Sequence, residues 1–218
     1  MIPEERRKYL AEELARKLLN PVRLVVFTQE YECPYCAQTR SLLGELAGLS
    51  DKLSVEVYDF VADADEARAY GVDKVPAVAI IGAKDYGLRF YGLPYGYEFQ
   101  TLLEGMVSVS HGKAEVSEEA REKLRGIKSP VHIQVFVTLT CPYCPPVASL
   151  AFKFAVESDM IRADVIDVGE FPHIGQKYGV IGVPKTVINE RVEFLGVIPE
   201  GIFLEHVLIA ARRSEYVL

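Results

Sequence analysis

Asparagine and glutamine are scarce in this chain, with two Asn (Asn20, Asn189) and five Gln (Gln29, Gln38, Gln100, Gln134, Gln176) among 218 residues. Depletion of thermolabile amides is a thermophile tendency, and cytosolic disulfide chemistry is commoner in hyperthermophiles than elsewhere. Positive charge is not in excess. A net charge of −7 argues against nucleic acid or an anionic membrane surface as the main partner. No apolar run reaches the ~20 residues of a membrane-spanning helix. The opening segment, "MIPEERRKYLAEELARKLLN", lacks a secretory-signal core and mixes acids with bases. It reads as a folded helix of a cytoplasmic protein. The four histidines (His111, His132, His173, His206) fall outside any ligand pattern, so a metal role is not expected.

Cysteine is scarce too, yet all four cysteines are spent on one tetrapeptide. Cys33-Pro34-Tyr35-Cys36 returns as Cys141-Pro142-Tyr143-Cys144, 108 residues later. The same offset carries Leu53, Val55 and Val57 onto Ile161, Ala163 and Val165. It carries Tyr70-Gly71-Val72 onto Tyr178-Gly179-Val180, and Val75-Pro76 onto Val183-Pro184. Further on, "YGLPYGYEF" resembles "LGVIPEGIF" at an offset of 104. The chain therefore reads as two copies of one unit, expected at residues 1–114 and 115–218.

Each copy shows the same order of elements. The first opens with a helix on which Leu10, Leu14 and Leu18 recur every four residues, with Glu12/Arg16 and Glu13/Lys17 as exposed pairs. Asn20-Pro21 stops it. An apolar strand (22–27) leads into a helix at the cysteine motif, ending near Gly48. A half-buried strand (53–58), a short helix (63–70), strands at 76–81 and about 88–91, and a helix (97–109) follow. The second copy repeats this with helix 117–125, strand 131–137, a helix from Pro142, strand 161–166, helix 172–178, strands 186–188 and 192–195, and helix 201–211. The order is α-βαβαββα, twice. The βαβ part makes two parallel strands with a right-handed crossover, and the final hairpin makes the sheet mixed.

Three readings compete for the cysteines. Zinc ribbons separate their Cys pairs by roughly 15–20 residues, far fewer than here, and no nearby His completes either pair. A structural disulfide closing so short a loop adds little stability. Redox catalysis has a specific basis. Each motif follows an apolar strand and opens a helix, where free N–H groups and the positive dipole end favour a thiolate. Pro34 and Pro142 are expected in the first helical turn. Cys33 and Cys141 are then the nucleophiles, and Cys36 and Cys144, one turn on, resolve the mixed disulfide. Pro76 and Pro184 each lie 40 residues after the second cysteine of their copy and start an apolar strand. The same placement in both copies marks them as part of the site.

This order of elements, with Cys-Pro-Tyr-Cys and a downstream Val-Pro, resembles the thioredoxin superfamily, and Cys-Pro-Tyr-Cys is the motif of the glutaredoxins. Two such units in one chain resemble the archaeal and thermophile protein disulfide oxidoreductases. The resemblance implies an α/β fold of two tandem thioredoxin-like units in tight contact, each with a mixed four-stranded sheet. It implies dithiol–disulfide exchange with protein substrates, and cis peptide bonds at Val75-Pro76 and Val183-Pro184 facing the cysteines. The redox-active disulfides Cys33–Cys36 and Cys141–Cys144 would be the only cofactor, and a thioredoxin-reductase-like flavoprotein the electron source. The alternative is an electron-relay module passing reducing equivalents from such a flavoprotein to one partner, such as a peroxiredoxin. Two departures stand out. Thioredoxins carry a buried Asp six residues before the first Cys, where this chain has Phe27 and Val135, so that proton acceptor is missing. The Gly-Gly-x-Asp-type stretch that holds glutathione in glutaredoxins is also absent, which argues against glutathione as an obligatory cofactor.

The two copies differ around their identical cores. The Pro34-Tyr35 and Pro142-Tyr143 dipeptides point to a glutaredoxin-like potential, roughly −200 to −230 mV. Glu32 precedes Cys33, whereas Thr140 precedes Cys141. Ala77 follows the first Val-Pro, whereas Lys185 follows the second. An anion disfavours and a cation favours a nearby thiolate, so Cys141 is expected to be the more acidic thiol and the faster nucleophile. Pro146 is expected to remove a helical hydrogen bond and bend its helix.

Overall fold

The computed structural model describes residues 1–213; the last five residues of the second expected unit lie outside them. The first half runs α1 (Glu4–Lys17), β1 (Val22–Thr28), α2 (Cys36–Ala47), β2 (Leu53–Asp59), α3 (Ala64–Ala69), β3 (Ala77–Ile81), β4 (Asp85–Tyr91) and α4 (Glu98–His111). The second runs α5 (Glu118–Arg125), β5 (Val131–Val137), α6 (Cys144–Glu157), β6 (Ile161–Asp167), α7 (Pro172–Lys177), β7 (Lys185–Ile188), β8 (Val192–Leu195) and α8 (Glu200–Arg213). On α1, Leu10 and Leu14 are buried on one face, and the next leucine, Leu18, caps the helix. Glu13 pairs with both Lys17 and Arg16, so Arg16 turns to Glu13 and not to Glu12. Both partners lie within one turn of Glu13.

The strands form one eight-stranded sheet, ordered β2-β1-β3-β4-β6-β5-β7-β8. Within each half the pattern is the same. β1 is parallel to β2 and antiparallel to β3, and β3 is antiparallel to β4. β5 is likewise parallel to β6 and antiparallel to β7, which is antiparallel to β8. The two four-stranded sheets do not stay separate. β4 pairs in parallel with β6, from Leu88 opposite Ala163 to Tyr91 opposite Ile166. Side chains alternate across each strand, so β1 is apolar on both faces. Leu24 and Val26 enter the larger core, beneath the long helices, while Val25 and Phe27 enter the smaller one with Ala67 and Phe171.

Helices α4 and α6 pack beside the β4–β6 seam. Gly105 makes this possible, because a Cβ there would lie 3.1 Å from Phe152 and 3.0 Å from Ile80. The link between halves is fastened by Glu157, buried at the end of α6. It accepts the Ala114 N–H at 2.7 Å and bonds Arg121 at 3.2 Å and Arg125 at 3.4 Å. Among the described residues no helix is long and apolar enough to cross a membrane.

The seam also carries an ionic network. Arg162 on β6 reaches into the first half, donating to the Gly71 carbonyl at 2.9 Å and the Tyr91 hydroxyl at 2.8 Å. It is held by Asp164, which also bonds His132 at 2.8 Å. Burial pushes the Asp164 carboxyl up, but the contacts to His132 and Arg162 outweigh burial and hold it below its ordinary value. Replacing Arg162 with alanine leaves a buried carboxylate short of a partner. That is expected to cost about 3–5 kcal/mol, read as a lower midpoint in urea unfolding at pH 7. A midpoint within experimental error of the parent would show that the network contributes nothing at the seam.

Candidate active sites

Each cysteine motif follows the C-terminal end of the first strand of its half, an inner strand of the sheet, where the chain turns into a long helix. The helices start later than the sequence suggests. Cys36 and Cys144 are the first helical residues, with Tyr35 and Tyr143 as N-caps. Cys33 and Cys141 lie in the preceding turn, closed by bonds from the Cys36 N–H to the Cys33 carbonyl and the Cys144 N–H to the Cys141 carbonyl, both 3.4 Å. Pro34 and Pro142 therefore belong to that turn and not to the helix. The expected bend at Pro146 falls away for the same reason. Pro145 and Pro146 occupy the second and third helical positions, whose N–H groups have no intrahelical acceptor.

In the first half Cys33 and Cys36 form a disulfide with a Cα separation of 5.5 Å. The Cys36 sulfur accepts the Gln29 N–H at 3.3 Å. In the second half Cys141 and Cys144 are thiols. The Cys144 sulfur accepts a backbone N–H from Thr138, one residue beyond the position equivalent to Gln29. Burial, then the hydrogen bond with Cys141, pushes the Cys144 thiol well up. Cys141 is 8% exposed and Cys144 fully buried. Both Val-Pro bonds, Val75-Pro76 and Val183-Pro184, are cis. The Cys141 thiol donates to the Val183 carbonyl at 3.7 Å, placing that strand start beside the sulfur. Around the second site Tyr143 is 68% exposed and Ile181 is 94% exposed, an apolar rim. The residue equivalent to Ile181 in the first half is Asp73.

The flanking residues do not act as expected. Lys185 donates to the Tyr178 carbonyl at 2.7 Å and pairs with Glu193 at 3.0 Å. Its face of β7 is shared with Val187 in the smaller core, while Cys141 and Cys144 belong to the larger core across the sheet. Lys185 thus points away from the thiols. Glu32 has a left-handed backbone with φ of 57° and is exposed to solvent, where water screens its charge.

The difference between the sites comes from elsewhere. Glu98, the first residue of α4, is fully buried and acts electrostatically on Cys144. Its position is set by two backbone features. The Tyr97 N–H bonds the Leu139 carbonyl at 3.0 Å, in the loop before Cys141. Gly96, with φ of 60°, allows that approach, since a Cβ there would lie 2.4 Å from the Leu139 oxygen. One Glu98 carboxylate oxygen accepts from the Thr101 hydroxyl at 2.8 Å, and the other has no hydrogen-bond partner among the described residues. Burial pushes Glu98 up to about 7, opposed by the Thr101 bond and assisted by Asp167. A carboxyl poised near neutrality and within electrostatic reach of a buried thiol suits proton transfer. Sequence reasoning missed Glu98 because it belongs to the other half. The signal within reach was an acid on the apolar stripe of α4, in line with Thr101, Leu102 and Gly105, where the second copy has Ile202.

A thioredoxin fold with two such cysteine pairs defines a thiol–disulfide oxidoreductase. The model of the thioredoxin domain matches residues 131–209. The structure of a protein disulfide oxidoreductase from Aeropyrum pernix superposes with a TM-score of 0.90 and 33% identity, covering 97% of this chain and 94% of that one. The chain belongs to the protein disulfide oxidoreductases. The N-terminal domain of the alkyl hydroperoxide reductase AhpF from Enterococcus faecalis shares the fold, with a TM-score of 0.87 at 23% identity, covering 95% of this chain and 100% of that one. The AhpF protein of Pseudomonas aeruginosa, also an alkyl hydroperoxide reductase component, is 27% identical over 160 residues, 71% of this chain and 28% of that protein. The chain spans less than a third of the length of the curated relatives it matches.

Proposed function

We propose that the chain exchanges disulfides of cytoplasmic proteins through two unequal sites, with the second as the principal one. The observation that carries this is the buried Glu98 of the first half, which acts electrostatically on Cys144 of the second. Cys141, at the apolar rim of Tyr143 and Ile181, attacks a substrate disulfide. Val75, Pro76, Val183 and Pro184 border the two sites and position the substrate backbone. Cys144 gives its proton to Glu98, and the thiolate attacks the Cys141–substrate bond, which breaks as the Cys141–Cys144 bond forms. At the position of Glu98 the second half carries Ile202, so the two halves hold one such carboxyl among the described residues. No cofactor beyond the four cysteines is invoked.

The test compares insulin reduction and reactivation of scrambled ribonuclease in a chain with Cys33→Ser and Cys36→Ser and in one with Cys141→Ser and Cys144→Ser. The first variant is expected to keep most of both activities and the second to lose most. The reverse order sinks the assignment. A second reading has specific support in the similarity to the alkyl hydroperoxide reductase AhpF over 71% of this chain. In it the chain relays electrons from a thioredoxin-reductase-like flavoprotein to a peroxiredoxin-type partner. Peroxide-dependent oxidation of a nicotinamide by the three proteins together, lost on omitting this chain, would favour it.

A further inference from the structure

We propose that Asp167 and Glu170 form a proton relay along the seam between the halves, carrying the Cys144 proton from Glu98 to solvent. This rests on the reading of Glu98 as the proton acceptor. The placement comes from three consecutive residues at the end of β5. The Thr138 N–H bonds the Cys144 sulfur. The Leu139 carbonyl holds Tyr97, beside Glu98. The Val137 carbonyl accepts the Val168 N–H at 3.0 Å, beside Asp167. One short segment thus gathers the thiol and two buried acids from α6, α4 and β6.

Glu170 continues the line outward. Its carboxylate accepts the Leu93 N–H at 2.7 Å, across the seam. Between the two acids lies Gly92, with φ of 112°. A Cβ there would lie 3.0 Å from the Asp167 Cβ and 3.3 Å from Glu170 Oε1, so only glycine leaves this approach open. Glu170 Oε2, like Glu98 Oε1, is buried with no hydrogen-bond partner among the described residues, which leaves it free to take a proton. Exposure rises along the series, from Glu98 and Asp167, both buried, to half-buried Glu170. The groups facing Glu98 are Cys144 from α6, Asp167 from β6 and Thr101 from its own helix. Those facing Glu170 are Leu93 N–H and Asp167. Burial, with Asp167 adding to it, pushes Glu170 up to about 7 as well, and burial raises Asp167. Three buried or half-buried carboxyls, all raised above their ordinary values, form a path along which a proton can pass.

The proton moves in sequence. Glu98 takes it from Cys144, passes it to the Asp167 carboxylate and is free again; Asp167 passes it to Glu170, and Glu170 to water. The substrate sulfur leaves Cys141 with the bonding electron pair, as a thiolate. The experiment uses the full chain with Cys33→Ser and Cys36→Ser, reacted with dithiobis(nitrobenzoate) in a stopped-flow instrument from pH 5 to 9. Attack by Cys141 releases one nitrothiolate, and attack by Cys144 releases the second. Glu170→Gln and Asp167→Asn are expected to lower the alkaline plateau of the second phase by about tenfold or more. The first phase should be unchanged, and imidazole added to the buffer should restore the second. A second phase whose pH limb moves to lower pH at an unchanged plateau would make the two acids electrostatic neighbours of Glu98 and overturn the relay. So would no change at all. Should Asp167→Asn fail to fold, half-buried Glu170→Gln decides alone. Failure of the underlying reading looks different: Glu98→Gln would then keep the parent's pH limb.

Discussion

With Cys144 replaced by serine, the chain is expected to accumulate as a stable mixed disulfide with its substrate, while turnover in insulin reduction falls by at least about a hundredfold. Cys141 retains its small exposed surface and its contact with Val183, so attack proceeds. The resolving sulfur is gone, so the first bond formed is the last. A covalent adduct on a non-reducing gel, released by dithiothreitol and absent when Cys141 is also serine, checks the order of events. The matching Cys36→Ser change is expected to trap less substrate and to leave most of the turnover intact. Equal trapping at both sites, with equal loss of turnover, would mean that the second site is not the principal one.

Glu98→Gln is expected to separate activity from stability. Removal of a general base typically costs between a hundredfold and ten-thousandfold in the step it serves. The Cys144 step should slow by at least about a hundredfold and lose its pH limb near 7. Its sign is set by the raised carboxyl. Below about 7 Glu98 holds its proton and cannot accept another, so the parent's rate climbs as pH rises through that value. Stability runs the opposite way. A buried acid raised from its ordinary value to about 7 stabilises the fold at low pH, and that contribution is lost as pH rises through about 7. The loss amounts to about 3 kcal/mol at most. The glutamine variant has no such loss and should be the more stable chain at pH 8, measured by urea unfolding. A variant less stable than the parent at pH 8, with the pH limb retained, would make Glu98 a structural residue.

Much of this molecule is legible in its sequence because its signals are local. The repeated cysteine motif, Tyr-Gly-Val and Val-Pro fix the internal repeat, and the apolar strand at Val131–Val137 has the bounds its pattern shows. The start of α2 and α6 is harder to read. Proline fits both the first turn of a helix and the turn before it, so the sequence does not separate the two places. Lys185 was within reach of a better reading. Alternation along β7 places it with Val187 and across from Ile188, and hence on the side of the sheet away from α6. Glu98 and the β4–β6 pairing could not be read this way. Both depend on which edges of two similar sheets meet, and an edge strand looks the same in sequence whether water or another strand lies beside it.

The parallel seam between β4 and β6 also has a direction. The right edge of the first half meets the left edge of the second, so the halves are related by a translation along the sheet and not by a two-fold axis. Two copies arranged this way are not interchangeable parts. The leading copy supplies a carboxyl to its follower and, among the described residues, receives none in return; β8 is the outer strand of the described sheet. At the position of Glu98 that outer copy carries Ile202, 49% exposed. Exchanging the order of the two halves would therefore keep every cysteine and every cis proline, yet face the motif of the new second half with an isoleucine.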